Sequence, residues 1–299
     1  MAGAMKDVVI VPCYNRPELL YLCLEHLSDC PEIHDKEVWI RCESRNLPDE
    51  FLRDNKSVAM SFPTVQFQMC RGHGYHGNSF NVLNAYKDAV EAGASRIYLV
   101  EDDVLVSPDF FRWHDAMFQR DPGLFCSVGW HCLRRSDIPR GSTDPLIYFE
   151  SYADYASIGV CWRAPLLELV TKHCNPDYFN NPAGYIKRNF PFSPLSLDFS
   201  EQDGIVMRVL ENVASPVAWP YRRRCSHVGW WGYHRPSARR MSVAGAGAGV
   251  LSLRIDEARR IVSNAQALCQ YSGGAYGGDT EPIIAASEWQ TKDLAQRLL

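Results

Sequence analysis

Val8–Val11 reads Val-Val-Ile-Val, four β-branched residues with no polar partner among them. A half-solvated strand would alternate apolar and polar residues. A wholly apolar run suits a strand covered on both faces, and such strands belong to parallel sheets flanked by helices. Further strands are expected over Glu37–Ser44, Thr64–Cys70 and Arg96–Val100. A helix is expected from Glu18, with Leu19, Leu20, Leu22, Cys23, Leu24 and Leu27 buried. Another is expected over Gly77–Gly93, with Phe80, Leu83, Tyr86 and Val90 inward and Gly93 ending it. The order β-α-β-β-α-β is that of an α/β domain with a mostly parallel sheet.

The fourth strand runs directly into Glu101-Asp102-Asp103. Three adjacent carboxylates at a strand end repel one another and call for a cation. The C-terminal edge of an open α/β sheet is also where ligands bind. Hard oxygen donors suit Mg2+ or Mn2+, with phosphate oxygens completing the shell. If the strand geometry continues, Glu101 and Asp103 share one side and Asp102 points to the other. A metal-bound diphosphate in turn implies an activated nucleotide donor, with the metal as Lewis acid.

Beyond Phe111 the pattern predicts a helix to about Gln119, a strand over Leu124–Trp130, and a strand or turn leading into a helix over Tyr155–His173. It then predicts a helix over Asp198–Val213, a loop over Arg222–Pro236, a low-complexity stretch from Val243 and a last helix over Ile255–Leu268. The 299 residues are 46% hydrophobic with a net charge of −4, which excludes nucleic-acid coating through bulk charge. Eleven cysteines at irregular spacing, without a CxxC pair, read as buried free thiols. The N-terminus lacks the zones of a signal peptide and no apolar run is long enough to span a bilayer, so a soluble, cytoplasmic protein is expected.

The segment "IYLVEDDVLVSPDFFRWHDAM" followed by "RDPGLFCSVGWH" resembles the core of GT-A fold glycosyltransferases, and within them the N-acetylglucosaminyltransferase I family. "VVIVPCYNRPELLYLCLEHL", "YASIGVCWRAPLLELV" and "SEQDGIVMR" are similar to that family's opening, acceptor-side and base-bearing segments. The resemblance implies a Rossmann-like GT-A domain over residues 1–240, with a donor half to about 110 and an acceptor half beyond it, and a C-terminal extension over 241–299. It implies a metal-dependent, inverting glycosyltransferase that uses a nucleotide-sugar, UDP-linked, with Mn2+ or Mg2+ as cofactor. Arg16 and Glu43 are then expected to touch the donor base, with Pro12 and Tyr14 beside them. Glu101 and Asp102 would face the nucleoside, Asp103 would bind the metal, and Asp203 would deprotonate the acceptor. The base segment reads Glu-Gln-Asp-Gly where the family has adjacent acids and a Trp, so Glu201 stands as a rival to Asp203.

Two loops add candidates. His227, in "SHVGWWGYH", suits the metal or diphosphate, and His76, in "RGHGYHGN", suits the donor. Residues 212–255 hold seven arginines and no acid, with tryptophans interleaved. Trp130, Trp230, Trp231 and Arg224 are therefore expected on the acceptor side, for a glycan, a lipid-linked sugar or a hydroxymethylated DNA base of the bacteriophage kind. Two other readings use the same features: a nucleotidyltransferase, and a nucleic-acid-binding module built on the arginine-aromatic segment. Arg16 follows "PCYN", a poor match to the glycine-rich loop a nucleotidyltransferase would carry.

Overall fold

A computed structural model describes residues 6–70, 77–130, 148–151, 155–221, 223–228 and 248–271. In chain order the elements are β1 (Lys6–Cys13), α1 (Pro17–Ser28), β2 (Lys36–Glu43), α2 (Asp49–Met60), β3 (Val65–Cys70), α3 (Asn78–Glu91) and β4 (Ala94–Leu99). There follow β5 (Val104–Val106), α4 (Phe110–Arg120), β6 (Cys126–Val128), β7 (Tyr148–Ser151), β8 (Val160–Arg163), α5 (Ala164–Thr171), α6 (Pro176–Asn180) and α7 (Pro182–Asn189). The last are α8 (Gln202–Asn212), β9 (Val217–Pro220), β10 (Cys225–His227) and α9 (Ala248–Tyr271).

Eight strands form one sheet in the order β3-β2-β1-β4-β8-β6-β9-β7, and β10 and β5 form a separate two-stranded ribbon. The first four strands are parallel, whereas β8 runs antiparallel to both β4 and β6. The expected mostly parallel, Rossmann-like sheet is therefore present, parallel in its first half and mixed beyond β4. Alternate residues of β1 supply the two faces. Val9, Val11 and Cys13 enter one core with α1, α2 and α4, while Val8 and Ile10 enter the other with α3, α5 and α8. This is why Val8–Val11 has no polar residue: each side chain meets a helix layer.

The sequence reading missed α2. It expected β2 to pass directly to β3, but Asp49–Met60 is helical. Its apolar face is sparse, with Val58 and Ala59 buried, Phe51 and Leu52 partly so, and the position between these pairs filled by the buried Asn55. Asn55 Nδ2 donates to the Tyr14 carbonyl at 2.6 Å, so the polar residue inside the stripe ties α2 to the chain leaving β1. The last helix begins earlier than expected and packs on α1, placing Ala258 and Val262 against Leu19 and Leu22. Arg254 pairs with Asp54, and Arg259 with Glu25 at 2.5 Å. Most of the glycine-alanine stretch ahead of it lies outside the described residues. Nine cysteines, eight of them buried and Cys174 half-buried, are free thiols, as expected.

Helix α8 is seated by a close approach. A Cβ on Gly204 would lie 1.9 Å from the Phe199 carbonyl oxygen, and backbone cannot rotate away as a side chain can. Gly204→Ala is therefore expected to destabilise the fold by about 1–3 kcal/mol, the usual cost of forcing extra volume into a packed site. Urea unfolding of the purified variant measures it, and an unchanged midpoint would contradict this seating of α8.

Candidate active site at the sheet switch point

Strand β1 has β2 on one side and β4 on the other, both parallel to it. The chain moves outward from β1 to β3 and then returns to place β4 on β1's free edge, so the strand order reverses between β1 and β4. Ligand crevices in open α/β sheets open at such a point. Arg16 follows β1 there and Glu101–Asp103 follow β4.

Arg16 occupies the N-cap of α1, with Pro17 at the first helical position, where a missing N–H costs nothing. Its carbonyl accepts from the Leu19 and Leu20 amides, each at 3.0 Å, which fixes the backbone from which the guanidinium projects. That guanidinium reaches across the strand boundary and pairs with Asp102, and its Nη1 lies 2.7 Å from Asp103 Oδ2. Both carboxylates thus face one cation. This corrects the expectation that Asp102 points away from Asp103. The ladder ends at Val100, and the Val104 amide donates to the Glu101 carbonyl at 2.9 Å, so residues 101–104 form a turn in which strand alternation no longer holds.

The turn leads into β5, which pairs antiparallel with β10, His227 standing opposite Val104. The Val228 amide donates to the Asp103 carbonyl at 2.8 Å. His227 Nε2 lies 3.3 Å from Asp103 Oδ2. Part of the stretch expected to be a loop is therefore a strand, and it carries His227 onto Asp103. The ribbon is anchored below by Arg224, which is fully buried with Nε 3.5 Å from Asp109. The Arg224 amide donates to Gly129 and its carbonyl accepts from Ser107. Arg224 thus sits inside the protein, away from any acceptor-facing surface, because its charge is matched by a buried acid.

Burial opposes ionisation of all three acids, but the balance differs among them. Arg16 and His227 outweigh burial at Asp103 and hold it well below the ordinary carboxylate range. At Asp102 burial outweighs Arg16 and raises the carboxyl. Glu101 is raised by its withdrawal from solvent and by the charges of Asp103 and Asp203. One guanidinium does not neutralise three carboxylates, so the cluster retains protons that another cation could replace.

Asp203 lies across the crevice in the first turn of α8. Its Oδ2 accepts from Ser157 Oγ at 3.5 Å, and its buried Oδ1 has no hydrogen-bond partner. Burial pushes its carboxyl up to about 6, against a lowering by Ser157. Glu201 is exposed at the N-cap of the same helix. The start of α8 is tied to the start of α3, since Ser79 Oγ donates to Gln202 Oε1 at 2.7 Å. The neighbouring Asn78 Nδ2 reaches Glu101 Oε1 at 3.4 Å. Asn78, Ser79, Ser157 and Gln202 were missed by the sequence reading. Residues 79 and 202 are 123 positions apart, and no local pattern marks such a pairing.

Of the remaining candidates, Glu43, Pro12, Tyr14 and Trp130 are among the described residues. Glu43, at the end of β2, accepts from the amides of Arg45 at 2.9 Å and Gly77 at 3.0 Å. Pro12 is buried in β1, and Tyr14 is half-buried with its hydroxyl donating to the Arg45 carbonyl at 3.4 Å. Trp130 follows β6, with the Arg223 guanidinium 5.2 Å from its ring centre. His76, Trp230 and Trp231 lie outside the described residues.

A divalent cation would find two protein ligands at the switch point, Asp103 and His227. Among the described residues no group of three or more His, Cys, Asp or Glu side chains is disposed to hold a metal. Yet Asp102 Oδ2 and Asp103 Oδ1 are buried without hydrogen-bond partners. Orphaned acceptors in a proton-retaining cluster fit an ion that takes its other ligands from phosphate and water, as Mg2+ usually does. They do not fit an all-protein cage.

Residues 8–158 match the model of a family described as glycosyltransferase like family 2. No curated protein matches the chain. Among solved structures, the mannosyltransferase PcManGT from Pyrobaculum calidifontis, in complex with GDP-Man and Mn2+, is 14% identical. The match covers 98% of this chain and 81% of that one, with a TM-score of 0.50, and shows a shared fold. TarS from S. aureus is 12% identical over 91% of this chain and 44% of its own, with a TM-score of 0.46. The galactosyltransferase LgtC is 13% identical over 84% and 95%, with a TM-score of 0.44.

Removing the cation from the acids should cost stability in a pH-dependent way. Arg16→Met is expected to lose about 3 kcal/mol near neutral pH, as when one partner of a buried pair is removed. The orphaned carboxyls would then titrate above their unfolded values, so stability should return as pH falls and they bind protons. Thermal melts of the variant and the parent at about pH 7.5 and about pH 5 measure this; an equal deficit at both would contradict it.

Proposed function

The chain belongs to the glycosyltransferase like family 2 with a GT-A fold, and from that premise we propose a metal-dependent glycosyl transfer from a nucleotide-sugar to an acceptor hydroxyl, with inversion. The observation that supports it most is a convergence at one crevice. Arg16, Asp103 and His227 gather on the donor side, and Asp203 faces them from α8 with an unpartnered oxygen. Single displacement needs one base opposite a leaving diphosphate, and two facing acids held at opposite ends of the carboxylate range supply it.

The acceptor oxygen attacks the anomeric carbon as the bond from that carbon to the diphosphate oxygen breaks. The acceptor proton passes to Asp203 Oδ1, and the nucleoside diphosphate leaves. Ser157 orients Asp203 through Oδ2. With its carboxyl near 6, Asp203 is a stronger base than an ordinary aspartate and still ionised at neutral pH. Glu201 is exposed at the N-cap of α8, whereas Asp203 is oriented by Ser157, so the base role goes to Asp203. A bound Mn2+ or Mg2+ at Asp103 and His227 would neutralise charge building on the departing diphosphate. Arg16 supplies a second positive charge on the same side. Glu43, Tyr14 and Pro12 line the approach to β1 and β2, where the donor base would rest, with Glu101 and Asp102 next to the nucleoside. Trp130 lies on the acceptor side, within an acceptor half that begins at about residue 111.

The resemblance of the acidic segment to the N-acetylglucosaminyltransferase I family supports a UDP-linked hexose or N-acetylhexosamine. PcManGT, which shares the fold, binds GDP-Man and Mn2+, so guanosine donors belong in the same assay. The nucleotidyltransferase reading has less support, because no glycine-rich loop follows β1. The nucleic-acid reading also weakens. Of the arginines proposed for that surface, Arg224 and Arg254 are matched by Asp109 and Asp54.

A panel of sugar nucleotides with Mn2+ tests the proposal, read as nucleoside diphosphate release and sugar incorporation. Asp103→Asn should reduce turnover by about a hundredfold or more. Asp203→Asn should do the same, while the parent rate rises with pH through about 6 and levels above it. The same substitution should alter stability in the opposite sense. A carboxyl raised in the fold favours the protonated form, so its stabilising effect is present at low pH and lost as pH rises toward 6. Asp203→Asn should therefore melt higher than the parent at neutral pH and equally at about pH 4. A variant that is both active and less stable at neutral pH would remove Asp203 from the base role.

A further inference from the structure

The segment between α7 and α8 runs back along α8 as a strap, in a direction antiparallel to the helix. Ser193 Oγ donates to Glu211 Oε2 near the C-terminal end of α8 at 2.9 Å. Midway, Arg208 Nη2 donates to the carbonyls of Leu195 at 3.1 Å and Ser196 at 2.9 Å. Near the helix start, Arg208 Nη1 donates to the Phe199 carbonyl at 2.6 Å and to Gly204 at 2.9 Å. Arg208 is 1% exposed, so a buried guanidinium is committed to backbone carbonyls and fixes the strap's course.

That course turns apolar side chains outward. Phe192 is 96% exposed, Phe199 55% and Leu197 44%, and Val213, just past Glu211, is 41% exposed. Seven large apolar side chains are exposed among the described residues; three of them are on the strap, and Val213 directly follows the end of α8. Cations flank the Phe192 end. Lys187 and Arg188 are exposed in the last turn of α7. Lys172 is exposed beside His173, whose ring packs 4.9 Å from that of Phe190 at the strap's start. Asp198 and Glu201 are exposed at the other end.

We propose that this strap docks on the surface of an anionic lipid bilayer. Phe192, Leu197 and Phe199 enter the interfacial layer, while Lys172, Lys187 and Arg188 meet headgroup phosphates. Apolar residues beside a basic cluster suit such a surface. A second copy of the chain is the occupant the test must separate from a bilayer, because a two-fold contact could set the cations of one copy against Asp198 and Glu201 of the other. The strap leads directly into the helix that carries Asp203. On the reading of Asp203 as base, the acceptor is then an amphiphile presented from the bilayer.

The test uses the full chain and vesicles of phosphatidylcholine and phosphatidylglycerol in equal parts, without donor or acceptor. Vesicle binding and sugar transfer therefore fail separately. The parent chain should sediment with these vesicles and less with phosphatidylcholine alone. Phe192→Ser/Leu197→Ser/Phe199→Ser, substituted at exposed positions, should melt with the parent and lose about tenfold or more in partitioning. Lys187→Glu/Arg188→Glu should abolish the preference for the anionic vesicles. Asp203→Asn should bind as the parent does. A parent chain that stays in the supernatant, or a triple-serine variant that binds equally well, overturns the proposal. So does light scattering that shows a parent dimer dissociated by the triple-serine variant, since the strap would then meet a second copy.

Discussion

The contact between Arg16 and the two aspartates carries most of what is distinctive about this protein. It joins the chain leaving β1 to the chain leaving β4 at the point where strand order reverses. Parallel neighbours place both strand ends at one edge, so a cation after one and acids after the other must meet. Asp102 and Asp103 are 2% and 5% exposed, too little for solvent to stabilise two charges. A single guanidinium holds Asp103 ionised and leaves its neighbours short of countercharge. The sheet topology thus gathers acids that are short of countercharge at one edge, before any ligand is considered.

The ribbon of β5 and β10 adds the second half of that pocket. Three residues per strand would not persist alone. It is held in place by the buried Arg224 and Asp109 beneath it, and by backbone bonds to Gly129 and Ser107 on either side. A buried ion pair is a poor source of net stability. Here it has a geometric consequence, since it locks Arg224, the residue directly before β10 and three positions before His227, and so fixes where His227 stands. An arginine that looked like part of a surface patch instead sets the position of a histidine at the crevice.

How much of this could be read from the chain follows the physics of each feature. Val8–Val11 and Ile97–Val100 announced their strands because burial on both faces demands unbroken apolar runs. The acids after Val100 announced the crevice because charge at such a strand end has few alternatives. The helix α2 stayed hidden because Asn55 interrupts its apolar face, and partners distant in sequence, the Tyr14 carbonyl and Cys42 Sγ, explain that residue. Strand β10 stayed hidden because its partner β5 lies more than a hundred residues away and its composition is polar and basic. The alternation assigned to Glu101–Asp103 failed for a different reason: a turn begins where the ladder stops. Long-range pairings, such as Ser79 with Gln202, are properties of the folded chain and have no local signature.

The two sides of the crevice treat the same chemical group in opposite ways. Asp103 sits between Arg16 and His227 and is kept ionised; Asp203 accepts from Ser157, is raised by burial, and is kept ready to bind a proton. Tyr86 and Tyr155 add no charge to Asp203 while raised well above the usual tyrosine range, so they lower the local polarity without neutralising it. The separation requires that Arg16 not reach α8, and the Ser79 to Gln202 link, which holds the helix start against α3, maintains it. If α8 could slide toward β4, one guanidinium would serve both acids and the difference between them would vanish. The backbone seat at Gly204 and the Arg208 clamp are therefore constraints on chemistry as well as on packing: they preserve a distance across which two carboxylates remain unlike.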